Sequence, residues 1–503
     1  MSSTLTETAA DSASSHGHFA QDDISLTQRS RHATSEAEEE AATPPAEPSA
    51  TKRSNRPLPL YRKCAPNSFI RQTIIITIAS FTIVFTCCGI NFAFGIFQAV
   101  FETLSQQPDT PFTGASPADI DLIGTLSISL MTIGAPFVVA WSKRFSPKLI
   151  SLIGSTIFSA ALILASFGKS LWHFEVTQGV LLGLGTCMSY MVAVTIAPTW
   201  FTTRRGLGLG IITSGTGIGG LVWAPALKAA VDSMGYRNAM RLAGGIAFGL
   251  NVLASAAMAW EPEAKARIDM ENAARTSRMD GILKVPIVDW RIARTRKFAA
   301  QALASIFQSA VYYLPLFFFA TYARTLGYSD TAGANFIALS NACNAIGKIA
   351  IGYAADHMGR LNALVITTII SAIATISFWL PSTLSDDKAT SQGLFISFTI
   401  LYGIFASAYV ALFPASLVEL FGVHNFASVN GVLYMVRGMA SLVGTPVGGV
   451  LIRSHSTGSP ARSYEGMTVL TSVLLFAASI SVIWVRMEAM IGVDGKLVKK
   501  WKM

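Results

Sequence analysis

A chain of 503 residues that is 51% hydrophobic and only 13% charged, with a mean hydropathy of +0.47, is too apolar for an ordinary soluble protein of its size. Its five cysteines (Cys64, Cys87, Cys88, Cys187, Cys343) lie mostly in apolar runs without metal-site or disulfide spacing, so they read as packing residues, and no metal or other cofactor is expected. The formal charge of +9 gathers beside hydrophobic runs rather than along one polar face, which points to a lipid bilayer and away from nucleic acid as the partner.

The first 66 residues are dominated by Ser, Thr, Ala, Glu and Pro, as in "SEAEEE" and "TPPAEPSA", and hold almost no large apolar residues. Such a segment cannot bury enough surface to offset its ordering entropy, and it carries no apolar core of signal-peptide type, so residues 1–68 are expected to form a disordered tail. Lys52, Arg53, Arg56, Arg62 and Lys63 precede the first apolar run and favour a cytoplasmic N-terminus in contact with anionic lipid.

Runs long enough to cross a bilayer then recur, about twelve in all. They are expected near 70–101, 119–141, 148–167, 173–198, 206–230, 239–260, 298–324, 330–354, 361–381, 391–420, 427–452 and 465–487. The polar stretch 261–297 divides them into two groups of six, 69–260 and 298–487, with a tail at 488–503. Positive charge supports that count. Lys143, Arg144, Lys148, Arg204, Arg205, the basic central loop and Arg360 all fall on the side of the N-terminus, whereas Lys169, Arg237, Arg324, Lys388, Arg453 and Arg462 are scattered singly opposite. Both termini and the central loop are therefore expected in the cytoplasm. The fold class that follows is an all-α membrane protein of twelve transmembrane helices in two pseudo-symmetric six-helix bundles, without a recognisable soluble domain.

The stretch "GKIAIGYAADHMGR", 347–360, begins as membrane helix and ends in an acid, a glycine and a base. Gly352 permits close approach of a neighbouring helix, Gly359 can adopt the left-handed backbone that stops a helix, and Asp356 and Arg360 are placed for charge-assisted contacts. A carboxylate at a helix C-terminus opposes its own helix dipole, so Asp356 needs a partner, expected at the start of the fifth span near Arg204 and Arg205. "GYAADHMGR" resembles the G-x-x-x-D-x-x-G-R signature of the major facilitator superfamily, between the eighth and ninth spans where that family carries it. The corresponding first-half loop, "AWSKRFSPK", lacks the Asp and the Gly-Arg pair.

Within that superfamily the chain resembles the monocarboxylate-porter branch, fungal members above all, over roughly 69–487. The resemblance rests on "WFTTRRGLGLGIITSGTGIGG" (200–220), "INFAFGIFQAVFE" (90–102) and "FPASLVELFGVHNFASVNG" (413–431). The glycine runs superficially suggest a dinucleotide-binding turn with Asp232 downstream, but they lie inside an apolar span rather than between a strand and a helix.

Ionisable groups deep in a span are costly and so are functional candidates. Lys348 in the eighth span and Arg437 in the eleventh would present positive charge to an anion, with solvent-directed snorkelling the bland alternative for Lys348 and a structural pair or carbonyl contact that for Arg437. Asn344, Asn341 and Asn91 are further substrate-binding candidates, and Gln98, Tyr190, Tyr313, Tyr402 and Tyr409 are weaker ones that also suit plain helix packing. Glu175 and Glu419 stand near span ends and read as interfacial. Relative to proton-coupled lactate-type members, this chain has Asn344 and Lys348 where the resemblance implies an Asp four residues before an Arg, and no Lys in the first span. The leading expectation is a gradient-driven secondary transporter of a small organic anion, a carboxylate by choice, acting by alternating access with proton coupling left open. Efflux of a larger fungal metabolite and a non-transporting sensor signalling through its tails are the alternatives. No nucleophile, metal cluster or phosphate loop is spaced for an enzyme or an ATP-driven pump. The expected location is the plasma membrane, with the vacuolar membrane second.

Overall fold

The computed structural model describes residues 66–201, 204–273, 290–452 and 460–490. The expected tails at 1–68 and 488–503 lie almost wholly outside the described residues, as does 274–289 of the central loop. Among the described residues all regular structure is helical. The long helices are α1 (Asn67–Ser105), α2 (Pro117–Ile133 with Ala135–Arg144, bent by 45°), α3 (Pro147–Ala165), α4 (Leu171–Trp200) and α5 (Arg205–Ala257). After the short α6 (Pro262–Ala273) come α7 (Arg296–Thr325), α8 (Asp330–Met358), α9 (Arg360–Leu384), α10 (Lys388–Val450) and α11 (Pro460–Met490). Eight of these are long and apolar enough to cross a membrane, or nine if the bent pair of α2 counts as one span.

Two of the helices are too long to be single crossings. α5 has 53 residues and α10 has 63, and each leaves helical geometry at one glycine: Gly235 at φ 79°, ψ 158° and Gly422 at φ 75°, ψ 162°. Those backbone values suit glycine because a Cβ is strongly disfavoured there. The sequence suggests connectors over 231–238 and 421–426, but one glycine reverses the chain in each case. We call the arms α5a and α5b, and α10a and α10b. With α5 and α10 each counted as two arms, and with α8 included, the helices correspond in order to the expected spans.

Loop-to-helix junctions are set by short polar caps. Ser116 and Asp119 form a reciprocal capping box at α2, and Ser329 and Thr295 accept the Ala332 and Phe298 amides at 3.2 and 3.3 Å at the starts of α8 and α7. Inside the helices many Ser and Thr hydroxyls bond back to the carbonyl four residues earlier, which satisfies them where lipid would not. The central loop is not wholly irregular. Helix α6 buries Ala264 and Ile268, and it is pinned to the end of α2 by Asn272 Nδ2 donating to the Lys143 carbonyl at 3.0 Å. Trp260, just before it, donates to the Ser142 carbonyl at 3.2 Å.

The two halves meet along two related pairs of helices. α5a of the first half runs against α8 of the second, and α2 runs against α10b.

Candidate functional site

At one end of the first seam, Asp356 closes α8 and simultaneously caps α5a. Its Oδ1 and Oδ2 accept the backbone N–H groups of Gly206 and Leu207, each at 2.9 Å. Arg360 Nη2 and Nε donate to the same carboxylate at 3.0 and 3.2 Å. Repelled by its own helix dipole, the charge is attracted by the N-terminal end of α5a, a favourable anion position. Its partners thus include the backbone amides beside Arg205 as well as the Arg360 side chain. Arg205 Nε donates to the Phe201 carbonyl at 2.7 Å, while Arg204 is exposed and its carbonyl accepts the Gly208 amide at 3.0 Å. Glu419, exposed at the end of α10a, adds negative charge near Arg360, Arg486 and Arg205. Gly359 stops α8 with φ 98° and ψ 135°; the sign of φ is the expected one, but ψ lies beyond the left-handed helical well, in a region that still favours glycine.

Glycine sets the closeness of this seam. A Cβ on Gly352 would lie 2.5 Å from the Gly206 carbonyl oxygen, and one on Gly217 would lie 2.5 Å from that of Asn341. From Gly206 to Gly220 the face of α5a that meets α8 is glycine at four positions, which lets the two backbones touch over about 20 Å. The second seam is tight as well. A Cβ on Gly438 would meet Thr132 Oγ1 at 2.5 Å, and Ser129 and Ser441 hydroxyls approach at 3.4 Å. Asn430 Nδ2 of α10b reaches Thr195 Oγ1 of α4 at 3.3 Å.

Lys348 does not snorkel. It is 1% exposed and turns across the seam, donating from Nζ to the Thr213 carbonyl at 3.2 Å and to Thr216 Oγ1. The Thr216 hydroxyl also approaches Asn344 Oδ1 at 3.5 Å, so Lys348 and Asn344 of α8 share one partner on α5a. Asn341, a further turn along, faces Gly220 and borders a small pocket with Phe92, Ile128, Tyr313, Leu316 and Ile337. That pocket holds about 20 Å³, room for little more than one water molecule.

Arg437 of α10b is buried at 6% exposure. Its Nε donates to Ser309 Oγ of α7 at 2.9 Å, and its guanidinium carbon lies 4.8 Å from the Phe413 ring centre and 5.3 Å from those of Tyr409 and Tyr434. Its Nη1 has no hydrogen-bond partner among the described residues, nor do the hydroxyls of Tyr312, Tyr409 and Tyr434. No described carboxylate bonds to Lys348 or Arg437. The acids of the long helices stand near their ends, as Glu102, Asp121, Glu175, Asp356 and Glu419 do.

Other candidates are placed differently. The Asn91 side chain is engaged within the first half: Nδ2 donates to Cys87 O and Thr186 Oγ1 at 3.0 and 3.1 Å, and Oδ1 accepts from Ser127 at 2.6 Å. It ties α1, α2 and α4 together. Gln98 donates to Glu102 at 3.1 Å, and the Tyr402 hydroxyl donates to the Tyr312 carbonyl at 3.1 Å. Tyr190 packs against Tyr434, and Tyr313 against Phe92, so both face the opposite half. Sequence reasoning missed Thr216, Ser309, Phe413 and Tyr434. Only the small residues of α5a hinted at the first of these.

Residues 76–386 and 317–492 match the family model of the Major Facilitator Superfamily. The chain is 26% identical to an MFS-type transporter of Gibberella moniliformis, over 78% of this chain and 87% of that one. It is 24% identical to the agnestins efflux protein of Paecilomyces divaricatus, over 84% of this chain and 89% of the other. To the fujikurins efflux protein of Gibberella fujikuroi it is 26% identical, over 75% and 76%. Among solved structures it is similar in fold to the human organic anion transporter MFSD10, with a TM-score of 0.57 at 12% identity over 80% of this chain and 99% of that one.

Proposed function

This chain belongs to the Major Facilitator Superfamily, and we propose that it is a gradient-driven exporter of an anionic metabolite that works by alternating access. Its class is transport rather than catalysis. The observation that carries the substrate charge is the presence of two buried basic side chains, Lys348 and Arg437, with no carboxylate among the described residues bonded to either. Uncompensated positive charge in a low-dielectric interior is costly, and an anion that enters the site relieves it. Export is favoured by the relatives that are named efflux proteins and by the absence, at Asn344, of the carboxylate that lactate-type porters use.

In this reading Asp356, Arg360, Gly352 and Gly359, with Arg204 and Arg205 alongside, form the inner gate, and the glycine seam is the surface that parts when that gate opens. The sidedness of the basic residues Lys143, Arg144, Arg204, Arg205, Lys265 and Arg360 supports a cytoplasmic position for the gate, both termini and α6. We place the chain beside the monocarboxylate-porter-like branch on residues 200–220 and 413–431, and in the plasma membrane. Cells loaded with a panel of labelled organic acids test the proposal. Expression of the chain accelerates loss of at least one acid, and Arg437→Gln at equal surface abundance abolishes the gain. Acceleration that survives Arg437→Gln would remove the cation from the mechanism.

A further inference from the structure

Resting on the anionic-substrate reading above, we infer that Arg437 and the rings of Tyr409, Phe413 and Tyr434 form a subsite for an aromatic carboxylate. A guanidinium can be engaged from its two faces and along its edge. Here the rings lie over it at 4.8 to 5.3 Å, and Ser309 takes the Nε edge at 2.9 Å, fixing the group between α7, α10a and α10b. What is left includes Nη1, a buried charged donor with no acceptor among the described residues. Leaving such a donor unpaired costs more than leaving a neutral one, and a carboxylate approaching in the guanidinium plane is its natural complement.

The neighbouring orphans have the same character. The hydroxyls of Tyr312, Tyr409 and Tyr434 lie near Asn344, Ser305 and Tyr190 but make no hydrogen bond within 3.5 Å among the described residues, so the four groups around this point can all donate. A ligand rich in acceptor oxygens satisfies them together. The surrounding wall is aromatic rather than aliphatic: Phe413 meets Tyr434 edge-to-face at 5.3 Å, Tyr409 stacks with Phe413 at 5.8 Å, and Tyr190 meets Tyr434 at 6.2 Å from the other half. A planar ring attached to the carboxylate gains edge and face contacts with this wall that a saturated ring of equal charge lacks.

The test measures equilibrium binding of benzoate and cyclohexanecarboxylate to the purified full chain. The wild type binds benzoate about fivefold more tightly. Tyr434→Leu brings the ratio close to one while cyclohexanecarboxylate affinity persists, Tyr434→Phe keeps the preference, and Arg437→Gln weakens both acids. Should Tyr434→Leu not assemble, Tyr409→Leu reads the same ratio. Equal binding of the two acids by the wild type, or a preference untouched by loss of the ring, overturns the aromatic subsite and leaves the anion reading standing. Binding of neither acid at millimolar concentration overturns both.

Discussion

Asp356 accepts the backbone N–H of Gly206 at 2.9 Å, so the last turn of a helix in the second half is the cap of a helix in the first. With the Leu207 amide and Arg360 on the same carboxylate, one side chain answers the dipole of α5a and one cation, which offsets its repulsion by the end of its own helix. Asp356→Asn keeps the shape, removes the charge and can accept only one of the two amides. The expected loss is about 1–2 kcal/mol, roughly a 5- to 30-fold shift toward the state in which this end is open. A cysteine at Thr213, buried beneath the contact, reports it: in a background without the native cysteines, thiol labelling of Thr213→Cys rises by that factor when Asp356→Asn is added. Unchanged labelling would mean that the carboxylate does not hold this end shut.

The seam beside it depends on glycine at single positions. In Gly352→Ala the new methyl would lie 2.5 Å from a backbone oxygen that cannot step aside, so the helices must separate, at about 1–3 kcal/mol. Transport falls and thermal stability drops. Gly249→Ala on α5b, where a Cβ meets nothing within 4 Å, is the matched control and is neutral or slightly stabilising. Equal effects of the two substitutions would assign the loss to helix propensity rather than to the seam.

A pH-dependent prediction sits outside the spans. Asp387 caps α10 by accepting the Thr390 amide at 2.9 Å together with the Thr390 hydroxyl, and these bonds hold its carboxyl below the usual Asp range. A lowered folded-state pKa contributes stability above the unfolded value and loses it as pH falls through the folded one. Asp387→Ala therefore lowers the melting temperature near neutral pH, and the gap from wild type narrows on acidification. A gap that widens in acid would contradict the cap.

Much of the fold was legible because apolar length, the polar central stretch and the sidedness of positive charge are one-dimensional properties. Helix breaks were not: Gly235 and Gly422 lie among many glycines, and nothing in the local sequence tells a reversing glycine from a packing one such as Gly217. At the site, the motif led to Asp356 and to the start of α5a, because helix-end electrostatics can be read from spacing. The direction of Lys348 could not be, since distance from a span end does not say whether a side chain faces lipid or a glycine-lined neighbour. Phe413 and Tyr434 look like any buried aromatic residues until Arg437 is seen between them. Asn91 looked available for substrate because its three partners come from three separate helices.

The most direct test of the central claim, an anion recognised by two buried cations, is counterflow of labelled organic acids in proteoliposomes, with and without an imposed pH gradient. Wild type is compared with Lys348→Gln and Arg437→Gln. The account predicts carboxylate flux in the wild type that falls roughly tenfold or more in each variant, in line with loss of a charge-assisted hydrogen bond. Carboxylate flux that persists unchanged in both variants would contradict it.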